Sequence, residues 1–137
     1  MTQIYAYINF AGEATEAMNF YKDCLGGELV IQKVGGSPVE AYCPPSMKDQ
    51  VMHSALTKGP LVLMASDMQG PGGFTGGNTV ALSLNCSSEE EINTFFNKLS
   101  AGGTVLDALG VKFWGAIFGV FVDKFGIRWM LNYDKAA

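Results

Sequence analysis

Histidine is almost absent from this chain, which contains only His53 among its 137 residues. Its three cysteines, Cys24, Cys43 and Cys86, form neither an even disulfide set nor a closely spaced zinc pattern, so we interpret them as free thiols. A hard cation would need several oxygen ligands converging on His53, and Asp67 is the one attractive candidate nearby. We therefore predict no metal site and no cofactor, with a bound divalent metal as the less favoured alternative.

Positive charge and long apolar runs are also scarce. Nine Lys and Arg against 13 Asp and Glu give a formal net charge of −4, which argues against the basic footprint that nucleic acid binding requires. No apolar run approaches the roughly twenty residues of a membrane span, and the first residues lack the pattern of a signal peptide. We expect a cytoplasmic protein with neither nucleic acid nor membrane as a partner.

Apolar residues make up 48% of the chain, which is enough for one sizeable core. The first half has the pattern of one strand, one helix and three strands. Ile4 to Phe10 alternates between apolar and polar residues, and the helix that follows ends at the glycine pair Gly26-Gly27. The predicted elements are a strand over 4–10, a helix over 13–25, and strands over 28–34, 51–57 and 61–66.

The second half repeats this order after a glycine-rich connector. Ser87 or Ser88 can cap the second helix, whose acidic first turn suits the positive end of the helix dipole, and Gly102-Gly103 ends it. The predicted strands cover 79–85, begin again at 105, lie within 113–122, and cover 127–133. We predict a single α+β domain, 1–137, of two βαβββ modules: module one at about 1–68, the connector at 69–78 and module two at 79–137.

The chain resembles a known family at five segments in order. These are Tyr7 to Phe10, 17–27 (AMNFYKDCLGG), Val51 to His53, Met64 to Asp67, and 113–129 (FWGAIFGVFVDKFGIRW). They resemble the PhnB-like group of the vicinal oxygen chelate superfamily, which includes glyoxalase I, extradiol dioxygenases and the bleomycin and fosfomycin resistance proteins. The resemblance implies curved mixed sheets around a cavity, a small-molecule ligand and a homodimer.

The sequence departs from that superfamily where its metal-dependent members carry His, Gln or Glu ligands on the first and fourth strands of each module. The corresponding positions are Tyr5 or Ala6, Met64, Thr79 or Val80, and Met130 or Trp129, and none is a good ligand for an oxygen-seeking ion. Ala116 and Ile117 are also apolar, where the group commonly has an acidic and then a basic residue. We therefore expect a cavity, either polar or unusually apolar, without the usual set of metal ligands.

Alternation selects Tyr5, Tyr7, Asn9 and Ser83 as ligand-binding candidates, and Trp114 is a further candidate for a cavity wall. The alternative is that these residues fill the core. His53 is the catalytic candidate, because a neutral imidazole can act as a general base or bind a substrate oxygen. Asp67 and Asp123 are interpreted as turn formers.

These observations predict a protein that binds a small polar or aromatic metabolite. One alternative is a metal-assisted lyase, isomerase or dioxygenase-type enzyme that uses His53. Another is a resistance protein that sequesters a drug or toxin stoichiometrically. No glycine-rich strand-to-helix motif suits an adenosyl cofactor, so methyltransferase activity is not predicted.

Overall fold

The computed structural model describes residues 2–69 and 72–135, and it divides the chain into two compact units, Met1–Thr75 and Gly76–Ala137. Gly70 and Pro71 of the predicted connector lie outside the described residues. The first unit contains β1 (Ala6–Asn9), α1 (Ala14–Leu25), β2 (Glu28–Lys33), β3 (Val51–Lys58) and β4 (Leu61–Ser66). The second contains β5 (Leu82–Asn85), α2 (Glu89–Ser100), β6 (Thr104–Val111), β7 (Ala116–Val122) and β8 (Arg128–Asp134). The predicted α+β class and the repeated βαβββ order are confirmed.

In the first unit, four strands form a mixed sheet in the order β1-β4-β3-β2, in which only β1 and β4 run parallel. The helix α1 covers one face of this sheet, because Met18, Tyr21 and Leu25 recur at helical spacing and are buried. They form the core of the unit with apolar side chains of the sheet, including Leu56 and Leu63. Among the described residues of this unit, no α-helix packs against the opposite face of the sheet.

The second unit repeats this topology in the order β5-β8-β7-β6, again with only the first pair parallel. Phe96 of α2 packs edge-on against Phe121 of β7, with ring centroids 5.0 Å apart. Ser88 is the helix cap, since its Oγ accepts a hydrogen bond from the Glu91 backbone N–H at 3.0 Å. Of the two serines considered from the sequence, the second therefore caps the helix.

The two glycine pairs occupy equivalent places in the two units. Gly26 and Gly102 both adopt a φ of 80°, which favours glycine. A Cβ on Gly27 would lie 2.5 Å from the carbonyl oxygen of Thr57, and one on Gly103 would lie 2.1 Å from that of Val122. The second glycine of each pair is therefore needed for close packing of the chain against the third strand of its module.

Two strands are clearly shorter than predicted, the strand predicted within 113–122 lies there, and the other strand ends agree with the predictions to within one residue. The strand predicted over 4–10 is β1, Ala6–Asn9, and the one predicted over 79–85 is β5, Leu82–Asn85, because each pairs with its parallel partner only over four residues. The strand predicted within 113–122 begins at Ala116, after a turn closed by the Gly115 N–H on the Lys112 carbonyl. Trp114 therefore lies in this turn and not in a strand. Among the described residues, no helix is long and apolar enough to cross a membrane.

Candidate functional site

The open face of the first sheet, opposite α1, carries three of the predicted site residues, Tyr7, Asn9 and His53. Along β1, Ile8 points into the core and is buried, whereas Tyr7 and Asn9 alternate with it and are exposed. Tyr7, on the edge strand β1, exposes 46% of its surface. The predicted alternative, in which these residues fill the core, is wrong for Tyr7 and Asn9 within this unit.

Tyr7 and His53 form a direct contact on this face, although they are 46 residues apart in the sequence. The Tyr7 Oη lies 3.1 Å from His53 Nδ1, and the two ring centroids are 5.7 Å apart. When the tyrosine hydroxyl donates to Nδ1, the proton of the neutral imidazole is on Nε2. The pair then offers a phenol oxygen as an acceptor and an imidazole N–H as a donor.

An apolar row of side chains lies beside this polar pair, while Gln32 lies opposite His53. Tyr7 lies opposite Met64 of β4, Met64 lies opposite Ala55 of β3, and Ala55 lies opposite Val30 of β2. Val30 is 69% exposed, which is unusual for a valine in the middle of a strand. A surface of this composition can hold the body of a small ligand by apolar contact while the Tyr7–His53 pair bonds to an oxygen of the ligand.

Tyr5 is placed differently from the expectation. It precedes β1, is 48% exposed, and its hydroxyl donates to the Gln3 side chain. It is therefore accessible, but within the described residues no hydrogen bond or ring contact joins it to the Tyr7–His53 pair. Sequence reasoning did not select Met64 or Val30 as ligand contacts; the alternation of β2 and β4 was the signal that could have found them.

The open face of the second sheet carries the other two predicted residues. Ser83 of β5 is exposed and lies opposite Met130 of β8, as Tyr7 lies opposite Met64 in the first unit. By the same register, Phe118 holds the position that His53 holds in the first unit. Trp114 is 51% exposed and packs at a steep angle on Phe118, with ring centroids 5.6 Å apart. This face therefore offers aromatic surface where the first offers a hydrogen-bonding pair.

The metal positions implied by the family resemblance do not suit a metal. The strand register places Tyr7 opposite Met64 and Ser83 opposite Met130, so these side chains share the open faces with the candidate positions of the fourth and eighth strands. A phenol, a serine hydroxyl and two thioethers are a poor donor set for a hard divalent ion. Among residues 2–69 and 72–135, no three His, Cys, Asp or Glu side chains converge to hold a metal ion.

Asp67 has a structural role that accounts for both of its oxygens. It is buried, and its Oδ1 accepts hydrogen bonds from the backbone N–H groups of Gly12 at 2.9 Å and Ala14 at 3.0 Å. Its Oδ2 accepts from the Val51 N–H at 2.9 Å. Asp67 thus caps α1 and fixes the start of β3, and it is not available beside His53 as a metal ligand.

Asp123 shapes the β7–β8 hairpin. Its Oδ1 accepts hydrogen bonds from the backbone N–H groups of Phe125 and Ile127, and its Oδ2 accepts from the Trp129 indole N–H at 2.8 Å. Trp129 is buried and belongs to the core of the second unit. The interpretation as a turn former agrees with these contacts for Asp123. It is wrong for Asp67, whose role is structural but whose hydrogen bonds join segments far apart in the sequence.

Comparison with known proteins places this chain among related sequences and folds. Residues 6–131 match the family model described as Glyoxalase/Bleomycin resistance protein/Dioxygenase superfamily. The chain is 31% identical to protein YjdN of Escherichia coli strain K12, over 94% of this chain and 93% of the relative. It is 40% identical to the crystal structure of PA1353 from Pseudomonas aeruginosa, with a TM-score of 0.86 over 98% of each chain. It is 31% identical to a PhnB protein from Bacillus cereus, with a TM-score of 0.75 over 96% of this chain and 99% of that one.

Proposed function

This chain belongs to the Glyoxalase/Bleomycin resistance protein/Dioxygenase superfamily and is a PhnB-like member of it, and on that premise we propose that it binds a small polar or aromatic metabolite on the open face of its first sheet. The observation that carries the proposal is the hydrogen bond between Tyr7 and His53 on an exposed face. Exposed polar side chains that bond to each other beside an apolar surface are a common feature of ligand sites.

The residues of the proposed site have different roles in binding the ligand. His53 and Tyr7 bond to an oxygen of the ligand, Asn9 supplies a further donor and acceptor, and the row from Met64 to Val30 contacts the body of the ligand. Ser83 and Trp114 of the second unit, and Tyr5 before β1, remain predicted ligand contacts. The donor set at the superfamily's metal positions supports binding without the usual metal set.

A thermal-shift screen of oxygenated metabolites tests the proposal, because a ligand that binds only the folded protein raises its melting temperature by mass action. For a stabilising ligand, Tyr7→Phe should weaken binding by about two- to tenfold, the effect of losing one hydrogen bond. His53→Ala should weaken it further. Tyr42→Phe is the matched control, since Tyr42 is 87% exposed in a loop of the same unit. Unchanged affinity in both Tyr7→Phe and His53→Ala would show that the ligand does not bind to this face.

Two forms of the function differ in whether the ligand is turned over. In an isomerase or lyase, His53 takes the other tautomer, in which its Nδ1–H donates to the Tyr7 Oη and Nε2 is free to accept a proton of the bound substrate, and Tyr7 holds the imidazole in one orientation. In a sequestering protein, the same pair binds the ligand and leaves it chemically unchanged. Product formation beyond one molecule per site separates the first from the second, and loss of turnover in His53→Ala with retained ligand binding assigns the proton transfer to His53.

The metal-assisted alternative is tested by adding Mg²⁺, Mn²⁺, Ni²⁺ or Zn²⁺ to purified protein. We expect none to be taken up in stoichiometric amounts. Stoichiometric uptake that raises activity would overturn binding without the usual metal set. We also propose a homodimer, as the family resemblance implies, and sedimentation equilibrium at micromolar concentration checks it.

A further inference from the structure

A separate polar cavity lies within the second unit, at the carboxyl ends of the parallel strands β5 and β8. It is open to solvent and has a volume of about 470 Å³, within the range of small-molecule sites. Its lining residues are contiguous in two short segments: Asn85, Cys86 and Ser87, and Asn132, Tyr133 and Asp134. The Cys86 N–H donates to the Asn132 carbonyl at 2.7 Å, so the two segments are fixed against each other. The cavity is distinct from the Tyr7–His53 face, which belongs to the first unit.

The equivalent place in the first unit has a serine on the fourth strand instead of an asparagine. There Asn9 lies opposite Ser66, which is buried, and the Ser66 hydroxyl donates to the Met52 carbonyl at 2.8 Å and accepts from the Met68 N–H at 2.9 Å. In the second unit, the corresponding pair is Asn85 and Asn132. Within the described part of the chain, the two carboxamides have no hydrogen-bond partner, so both keep donors and acceptors for a ligand.

The charges around this cavity are mostly negative. Asp134 lines it, and the acidic first turn of α2, Glu89 to Glu91, follows directly after Ser87 and Ser88. Burial, with a further contribution from the Glu91 charge, raises the pKa of the Cys86 thiol to about 11, so this thiol is neutral at pH 7. Lys135 is the cation that approaches the acidic turn, with its Nζ 3.7 Å from Glu89. Such surroundings favour a cation over an anion.

We propose that this cavity binds a small organic cation that carries N–H donors, an alkylguanidinium or alkylammonium compound. The carboxamide oxygens of Asn85 and Asn132 accept hydrogen bonds from the cation, and the Asp134 carboxylate compensates its charge. The neutral Cys86 thiol and the Tyr133 side chain line the wall beside the alkyl part.

Two-dimensional NMR of the ¹⁵N-labelled full chain, titrated at fixed ionic strength, tests this site with three butyl compounds. Butylguanidinium should cause saturable shifts of the Asn85 and Asn132 side-chain amides and of the Cys86 and Ser87 backbone amides. Butyltrimethylammonium, a cation without N–H donors, should bind about tenfold more weakly, and butyrate should not shift these signals. Equal shifts with butylguanidinium and butyltrimethylammonium would overturn the proposal, because they would indicate non-specific attraction of cations.

Substitutions separate the site from a general surface effect. Asn132→Ala should weaken butylguanidinium binding by about tenfold, as expected for the loss of one hydrogen bond to a charged group. Asn19→Ala in the first unit is the matched control and should leave it unchanged. Should Asn132→Ala fail to fold, Asp134→Asn is the second variant, since Asp134 is exposed at the end of β8 and its replacement is isosteric. Unchanged affinity in a folded Asn132→Ala or Asp134→Asn protein contradicts the proposal, and His53→Ala should have no effect on this binding.

Discussion

Replacing Asp67 by alanine should destabilise the protein strongly, because this buried carboxylate satisfies three backbone N–H groups from three places in the chain. Two of its hydrogen bonds, to Ala14 and Val51, are fully buried, and the third, to Gly12, is partly buried. A hydrogen bond to a charged group contributes about 1.5–3 kcal/mol, so the two buried bonds alone amount to about 3–6 kcal/mol. That is a large share of the ~5–15 kcal/mol by which most domains are stable.

Urea unfolding followed by circular dichroism measures this loss as a change in the midpoint at constant slope. Asp67→Asn retains one acceptor oxygen but turns an NH₂ group toward a backbone N–H, so its loss should be intermediate. Asp49→Ala is the control, since Asp49 is exposed in the same unit and should change the free energy of unfolding by less than about 0.5 kcal/mol. If a folded Asp67→Ala protein loses less than about 1 kcal/mol of its free energy of unfolding, then Asp67 does not stabilise the protein by joining α1 to β3.

Three further predictions concern the second unit. Gly119→Ala should lower the free energy of unfolding by about 1–3 kcal/mol in a thermal unfolding assay, because the new Cβ would lie 2.6 Å from a ring carbon of Phe96. Gly110→Ala is the control, since there is open space around Gly110 and the same assay should not show this loss. Ser88→Ala should cost about 1 kcal/mol by removing the cap of α2, measured by urea unfolding; an unchanged midpoint would contradict the cap. At pH 8, Cys86 should react with iodoacetamide about a hundredfold more slowly in the folded than in the urea-unfolded protein, as measured by mass spectrometry, because its pKa rises from 9.0 to about 11. Equal alkylation rates in the two states would contradict the raised pKa. The raised pKa also means that the neutral thiol's contribution to the free energy of unfolding is complete below pH 9 and is lost as the pH rises toward 11.

The order of elements was predictable from the sequence because each element leaves a local pattern. Alternation around Ile8 separates the buried face of β1 from the face that carries Tyr7 and Asn9, and helical spacing places Met18 and Tyr21 against the sheet. The glycine pairs mark the end of each helix. These patterns depend only on neighbouring residues, so one sequence was enough to predict two βαβββ modules.

The strand ends were less predictable, since they depend on pairing with a distant strand. Residues 4, 5 and 79–81 alternate as well as the rest of their segments, yet β1 and β5 extend only as far as β4 and β8 pair with them. Trp114 looked like a strand residue, but the turn at Gly115 places it before β7. Local alternation cannot reveal where a partner strand begins.

The sequence by itself determined the family, the repeated module and the polar face of β1, because these follow from local periodicity and from motifs that are read in order along the chain. Tertiary structure alone decided that Tyr7 bonds to His53, that Asp67 is fully used by backbone N–H groups, and that Asn85 lies opposite Asn132 beside a cavity. Each of these contacts joins residues far apart in the sequence, and each depends on the register of a parallel or antiparallel strand pair. A shift of one residue in that register would turn every side chain to the other face of the sheet. The local pattern selects the buried face, but only the folded sheet brings these particular partners together.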